Sequence, residues 1–151
     1  MSDLTKDSAK RLYTVLASAS FGLNLIWEMA QMFAYEIKPG ETLAGILMFC
    51  ALAAVIDALV TILIYALLAQ ILTRTNRLGF YFAAAFLGAW CAVFFEWFAR
   101  FFNLWSYNRK MFVIPLLETG FLPFAQLTML VPLAIWLTGK ITRGGRRMKG
   151  E

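Results

Sequence analysis

The sequence contains no histidine and only two cysteines in 151 residues. The absence of histidine excludes haem ligation by that residue, most zinc sites and histidine proton relays. Cys50 and Cys91 both lie inside apolar runs, and the chain has no Cys-x-x-Cys motif, so a disulfide framework is not expected. None of the long apolar runs contains a lysine, which excludes a retinal-type Schiff base. The sequence therefore predicts neither a cofactor nor a metal site.

Charged residues are also scarce, since they make up 15% of the chain while hydrophobic residues make up 61%. The mean hydropathy of +0.68 is far above that of a soluble domain of this size. The apolar residues form long runs instead of short alternating segments, which favours membrane-spanning helices over a β-barrel. The sequence predicts an all-α integral membrane protein, with residues 1–151 forming one membrane domain.

Four apolar segments are long enough to cross a bilayer. The spans of the predicted four-transmembrane-helix bundle are residues 12–35, 43–72, 80–102 and 119–139. Pro115 and Glu118 interrupt the stretch before the fourth span, so we expect 112–118 to be an interfacial or re-entrant segment.

Basic residues concentrate in three of the segments between or outside the spans. The N-terminus, the turn at 73–79 and the tail at 140–151 are all positive, whereas the loop at 36–42 is net negative. Because cytoplasmic segments of membrane proteins carry excess lysine and arginine, we expect both termini to be cytoplasmic, although Arg109 and Lys110 oppose this orientation. The same distribution accounts for the net charge of +5 without nucleic-acid binding.

Polar residues inside the predicted spans are the candidate site. Asn24, Glu28 and Gln31 fall at i, i+4 and i+7, so they form one stripe along a helix. A carboxylate in hydrocarbon costs several kcal/mol unless it is protonated or paired, so these groups need partners on other spans. The expected partners are Asp57 on the second span, Glu96 and Arg100 on the third, and Gln126 on the fourth. The predicted topology places these groups around a cavity that opens outward, with Asp57 at its floor.

Two of these groups have alternative interpretations. Glu96 and Arg100 are four residues apart and can form a structural ion pair. Alternatively, Arg100 is shared between Glu96 and Glu28, which leaves one carboxyl group able to carry a proton. Asp57 is either a proton or cation site or a hydrogen-bond anchor to Asn24 or Gln126.

The last third of the chain carries the pattern Trp-x-Tyr-x3-Met-x3-Pro-x4-Gly-x2-Pro-x2-Gln over residues 105–126, after Glu96-Trp97. The first span adds Trp-Glu-x-x-Gln at 27–31. Together these elements resemble a family of bacterial multi-pass membrane proteins that have no established activity. The resemblance implies a location in the bacterial cytoplasmic (inner) membrane. The chain departs from the pattern at Phe112, where proline is usual, and at Glu118, where a small residue is expected.

Three functions remain open at this point. The first is binding of a small amphipathic or lipid-like ligand within the bilayer, as a proton-coupled transporter or an accessory subunit. The second is acid-catalysed chemistry on a lipid or isoprenoid, with Glu28 or Glu96 as the general acid. The third is a purely structural subunit whose polar groups only hold helices together. The expected partners are membrane lipids, the ligand and a further copy of the chain in a homo-oligomer.

Overall fold

The structure, a computed structural model, describes residues 2–37, 39–72 and 76–147. Within them lie four α-helices: α1 (Ser2–Gln31), α2 (Leu43–Ile71), α3 (Arg77–Phe101) and α4 (Phe121–Arg147). A short 3-10 helix, Met32–Ala34, follows α1. Two short antiparallel strands, β1 (Val113–Ile114) and β2 (Thr119–Gly120), precede α4.

Three helices are long and apolar enough to cross a membrane: Leu43–Ile71, Arg77–Phe101 and Phe121–Arg143 within α4. This confirms the prediction of a helical membrane protein for those three segments. The first predicted span corresponds to the C-terminal part of α1, whose N-terminal part is polar.

The outer surface is much more apolar than that of a water-soluble protein. Large apolar residues cover it, where Ile26 is 70% and Phe101 80% exposed. The interior combines an apolar cluster with buried polar groups that include Asn24, Glu96 and Gln126. This arrangement suits hydrocarbon as the surrounding solvent, because only inward-facing polar groups find partners there.

The four helices form a ring in which the neighbours α2 and α3 are the least closely packed. Helix α1 packs against both α2 and α4, and α3 packs against α4, whereas α2 and α3 make far fewer contacts. Gly88 allows the close approach of α3 and α4, since a Cβ atom there would lie 2.4 Å from the Leu127 carbonyl oxygen. Helices α2 and α3 do meet near their connecting turn, where the Tyr65 and Phe80 rings are 6.1 Å apart. Away from that turn a gap separates the two helices.

Capping side chains set the starts of two helices. The Thr42 hydroxyl accepts from Gly45 N (3.1 Å), so α2 begins at residue 43 as predicted. Asn76 Oδ1 accepts from Gly79 N (2.7 Å), and this cap moves the start of α3 to Arg77, ahead of the predicted 80. Residues 73–75 of the predicted basic turn lie outside the described residues.

The first and last helices differ from their predicted bounds. Helix α1 begins at Ser2 and ends at Gln31, not at 35, because the chain tightens into the 3-10 helix and Tyr35 then pairs with Tyr107 in a β-bridge. Helix α4 begins at Phe121 and continues to Arg147. The predicted basic tail is therefore helical through 147, and 148–151 lie outside the described residues.

The segment expected to be interfacial or re-entrant forms a β-hairpin. Val113 pairs with Gly120 and Ile114 with Thr119. The hairpin turn rests on the C-terminal end of α3, because Trp97 Nε1 donates to the Leu117 carbonyl oxygen (2.8 Å).

Candidate functional site

Gln126 lies at the centre of a hydrogen-bond network that joins three helices. Its side-chain nitrogen Nε2 lies 3.0 Å from Asn24 Oδ1, 2.8 Å from Glu28 Oε1 and 2.8 Å from Asp57 Oδ2. These acceptors fix the orientation of the amide, because only the nitrogen end can donate. Gln126 is only 2% exposed, so the network lies in the protein interior.

Glu28 and Gln31 extend the network along α1. Gln31 Nε2 donates to Glu28 Oε2 (3.0 Å) and to Gln126 Oε1 (3.0 Å). Gln31 Oε1 in turn accepts from Trp27 Nε1 (3.1 Å). Both oxygens of the Glu28 carboxyl group therefore have a partner. All three residues of the predicted stripe on α1, Asn24, Glu28 and Gln31, take part in the network.

A second branch of the network runs toward the turn between α2 and α3. Asn24 Nδ2 donates to the Ser20 hydroxyl (3.2 Å), and Ser20 donates to Thr61 Oγ1 (2.9 Å). Thr61 donates to the backbone carbonyl of Asp57 (2.8 Å). The side chain of Asp57 accepts from Gln126, as the hydrogen-bond anchor interpretation of this residue expects.

Three acceptor oxygens surround Gln126 Nε2, whereas an amide nitrogen carries only two hydrogens. The amide can therefore donate fully to only two of the three acceptors at one time.

Next to this network lies a cavity of about 480 Å³, within the range of small-molecule sites. Its polar lining comes from Glu28, Gln31, Asp57, Glu96 and Gln126. The rest is apolar and largely aromatic, and these wall residues include Phe49, Leu52, Ile56, Phe94, Phe95, Phe98, Leu104 and Trp105.

The cavity lies where α2 and α3 separate. Leu52 on α2 and Phe94 and Phe98 on α3 line it, yet each is about half exposed on the outer surface of the protein. The Trp105 indole packs edge-on against Phe49 at 6.1 Å and joins the connector after α3 to α2. The gap between α2 and α3 therefore links the cavity to the surface that faces lipid.

Glu96 lines the cavity but takes no part in the Gln126 network. It is 2% exposed, and its Oε2 has no hydrogen-bond partner among the described residues. Trp105 Nε1 is likewise buried without an acceptor in that part of the chain. The Trp105 indole lies beside the Glu96 carboxyl group, and neither of these two atoms is exposed to the cavity.

Arg100 does not have the role expected from the sequence. Its Nη2 lies 3.2 Å from Glu118 Oε2 on the hairpin turn, and both side chains are substantially exposed. The predicted pairing with Glu96, and the sharing between Glu96 and Glu28, are therefore wrong. The reason is that Glu118 is accessible at the end of α3, whereas Glu96 faces the interior.

The structure brings six of the seven predicted site residues to the cavity or its network and leaves Arg100 outside. Sequence analysis did not select Trp105 as a site residue, although its indole lines the cavity. Its place in the Trp-x-Tyr pattern was the available signal. Tyr107 of the same pattern packs on Gly120, where a Cβ atom would lie 2.6 Å from the hydroxyl oxygen.

No group of three or more acidic, cysteine or histidine side chains among the described residues is arranged to hold a metal ion. Comparison of the chain with family models, curated proteins and solved structures finds no match.

Proposed function

We propose that the protein binds a small amphipathic or lipid-like ligand within the membrane, in the cavity between α2 and α3. The observation that carries this proposal is the cavity itself, since it combines an apolar, aromatic wall with a polar side formed by three carboxyl and two amide side chains. Such a site matches a molecule that has an apolar body and one polar end. The gap between α2 and α3 gives it a route from the lipid.

The proposal includes four spans, with α1 as the first and both termini in the cytoplasm of a bacterial cell, at its inner membrane. The support is that the polar stripe of α1 packs against α2 and α4, whereas Ile26, Met29 and Phe33 are exposed apolar residues like those of the other helices. In this orientation the cavity lies in the outer half of the membrane. A proton carried by Glu28 or Asp57 would couple ligand binding to proton movement in a transporter.

A structural subunit is the second candidate. The observation in its favour is the completeness of the Gln126 network, in which Asn24, Gln31, Gln126 and both oxygens of Glu28 have partners within the protein. A network with this degree of satisfaction can serve helix association alone. The cavity is the feature that a purely structural role does not explain.

The experiment uses single-chain amphiphiles that share one alkyl chain carrying a diazirine and differ only in head group: hydroxyl, methyl ether, ammonium or carboxylate. The protein in lipid nanodiscs is irradiated with each, and the labelled peptides are mapped by mass spectrometry. We expect at least one probe to label residues of α2 and α3 that line the cavity. Ala53→Leu, which narrows the cavity from α2, should reduce this labelling.

Ala51→Leu is the matched control, because Ala51 lies on the same helix with intermediate exposure but does not line the cavity. Labelling that is equal in wild type, Ala53→Leu and Ala51→Leu would contradict the ligand-binding proposal and favour the structural subunit. Recovery of a chemically altered probe would instead support a membrane enzyme.

A further inference from the structure

We infer that the cavity holds the head group of a protonated alkylamine at Asp57 and Glu28. The ammonium group donates a hydrogen bond to Asp57 Oδ1 and supplies the positive charge that the two carboxyl groups lack. This inference rests on the proposed function and adds the chemical class of the ligand.

The first argument comes from an open oxygen atom of Asp57. This residue lines the cavity and is 8% exposed. Its Oδ2 accepts from Gln126, whereas its Oδ1 accepts from none of the described residues. The side-chain atoms of that part of the chain that are fully enclosed and lack a partner are Glu96 Oε2, Trp105 Nε1 and Tyr107 Oη. Asp57 Oδ1 is not one of them, so this oxygen keeps an open surface toward the cavity and can accept from a ligand.

The second argument comes from the charge around Gln126. Glu28 Oε1 and Asp57 Oδ2 each lie 2.8 Å from Gln126 Nε2, so at most twice that distance separates the two oxygens. The side chains that donate to these carboxyl groups, Gln31 and Gln126, are neutral amides. None of the described residues that line the cavity is a lysine or arginine. Two carboxylates this close in a medium of low dielectric constant repel each other, and a cation beside both offsets that repulsion.

The same two features disfavour other head groups. A carboxylate or a phosphate would meet like charges. A hydroxyl group could donate to Asp57 Oδ1 but would bring no charge, and a quaternary ammonium brings the charge but has no hydrogen to donate. Arg100 does not neutralise the pair from within the protein, because it is engaged with Glu118 on the hairpin. A protonated amine supplies both the donor and the charge.

The third argument comes from the apolar wall. The lining includes Leu52 and Ile56 on α2, the helix that carries Asp57, and Phe94 and Phe98 on α3. These four residues are between 42% and 61% exposed, so an alkyl chain lying on them passes from the cavity into the surrounding lipid. Aromatic rings in the wall also suit a cation, because their faces attract an ammonium group.

The test measures how well unlabelled amphiphiles of equal chain length compete with whichever diazirine probe labels the cavity, in nanodiscs whose lipid has no net charge. The ratio of competition by the primary ammonium compound to that by the alcohol is compared between wild type and Asp57→Asn. Asparagine keeps an oxygen that can accept from Gln126 and replaces the open carboxylate oxygen with an amide nitrogen. We expect this ratio to be about tenfold higher in wild type. Partitioning into lipid cancels, because the same two compounds are compared in the same membrane.

Glu28→Gln provides the second variant, since it removes the charge of the other carboxyl group and should also lower the ratio. Glu41→Gln is the matched control, because Glu41 is an exposed carboxylate in the loop before α2 and does not line the cavity. It should leave the ratio unchanged.

The possible failures are distinguishable. Labelling that Ala53→Leu reduces, with the same ratio in wild type, Asp57→Asn and Glu28→Gln, would overturn the ammonium inference and leave the ligand-binding proposal intact. Strongest competition by the carboxylate compound in wild type would do the same. A trimethylammonium compound that Asp57→Asn weakens as much as the primary ammonium compound would overturn the hydrogen bond to Asp57 Oδ1. Labelling that Ala53→Leu does not reduce would contradict both proposals.

Discussion

At the residue scale, the protein stabilises its interior by placing an amide where several carboxyl and carbonyl oxygens converge. An amide is suited to this position, since Gln126 donates through Nε2 to α1 and α2 and accepts at Oε1 from Gln31. Its neutral side chain adds no charge to a region that already contains two carboxyl groups. A lysine at 126 would bring its own desolvation cost and could not accept from Gln31.

The first prediction concerns this amide. Gln126→Leu removes the two N–H donors that serve Asn24, Glu28 and Asp57 and also the oxygen that accepts from Gln31, so three hydrogen bonds are lost. At roughly 0.6 kcal/mol for each hydrogen bond within a membrane protein, we expect the free energy of unfolding to fall by about 2 kcal/mol. Reversible unfolding in mixed micelles of mild and denaturing detergent, followed by circular dichroism, measures this change.

Thr128→Val is the control for this substitution on the same helix. The Thr128 hydroxyl donates only to the Phe124 carbonyl within α4 (2.6 Å) and joins no other helix. Its loss should lower the free energy of unfolding by less than about 0.6 kcal/mol. Equal effects of the two substitutions would show that the Gln126 network does not hold the helices together.

At the element scale, the helices followed from local signals and the connections between them did not. The start of α2 after Thr42 was predictable, because a Pro-Gly loop and a capping hydroxyl both lie in the local sequence. The hairpin was not, because its position depends on Trp97, which is 20 residues from Leu117 in the chain. The end of α1 at Gln31 depends likewise on the distant partner Tyr107.

The candidate site was likewise predictable from the sequence only where local pattern determines it. The stripe of Asn24, Glu28 and Gln31 was visible from helical periodicity, and burial cost alone indicated that it needs partners. The partner of Arg100 could not be predicted from the sequence, because Glu96 and Glu118 are both near enough in the chain to pair with it. The structure pairs it with Glu118. Which carboxyl group it meets depends on the rotation of α3 in the bundle, and that rotation is set by packing on α4.

The second prediction concerns that packing. Gly88→Ala should lower the free energy of unfolding by about 1–3 kcal/mol, because the added methyl group would collide with the backbone of Leu127 and force α3 away from α4. Gly22→Ala is the matched control, since nothing lies within 4 Å of a Cβ atom there. It should stabilise α1 by up to about 1 kcal/mol through helix propensity. The same detergent titration compares them, and a loss of stability in both would contradict the role of Gly88 in close approach.

At the scale of the whole molecule, the arrangement of polar and apolar groups agrees with a bundle that is solvated by lipid and loosened on one side. The polar stripe of α1 packs against α2 and α4, so the bundle is closed at these two interfaces. An opening is therefore expected between α2 and α3, which make few contacts. Opening there costs few contacts and exposes apolar residues to lipid instead of polar groups. Asn24 and Glu28 of α1 accept from Gln126 on α4, and Ser20 donates to Thr61 on α2. Because α2 and α4 are candidate spans, we expect α1 to lie at the same depth.

The third prediction is that α1 crosses the membrane, so that its two ends lie on opposite sides. In a variant with both cysteines replaced, Lys6→Cys and Glu41→Cys place a single thiol at an exposed position before and after the apolar part of α1. A membrane-impermeant maleimide applied to intact spheroplasts should label Glu41→Cys at once and label Lys6→Cys only after lysis. Arg77→Cys and Lys110→Cys serve as references, because α3 separates them and should place Arg77 inside and Lys110 outside.

Immediate labelling of both Lys6→Cys and Glu41→Cys, with the references behaving as stated, would place α1 on the outer surface. Asn24 and Glu28 of this 30-residue helix bond to Gln126 on α4, and Ser20 bonds to Thr61 on α2, so a helix on the outer surface could not keep these contacts.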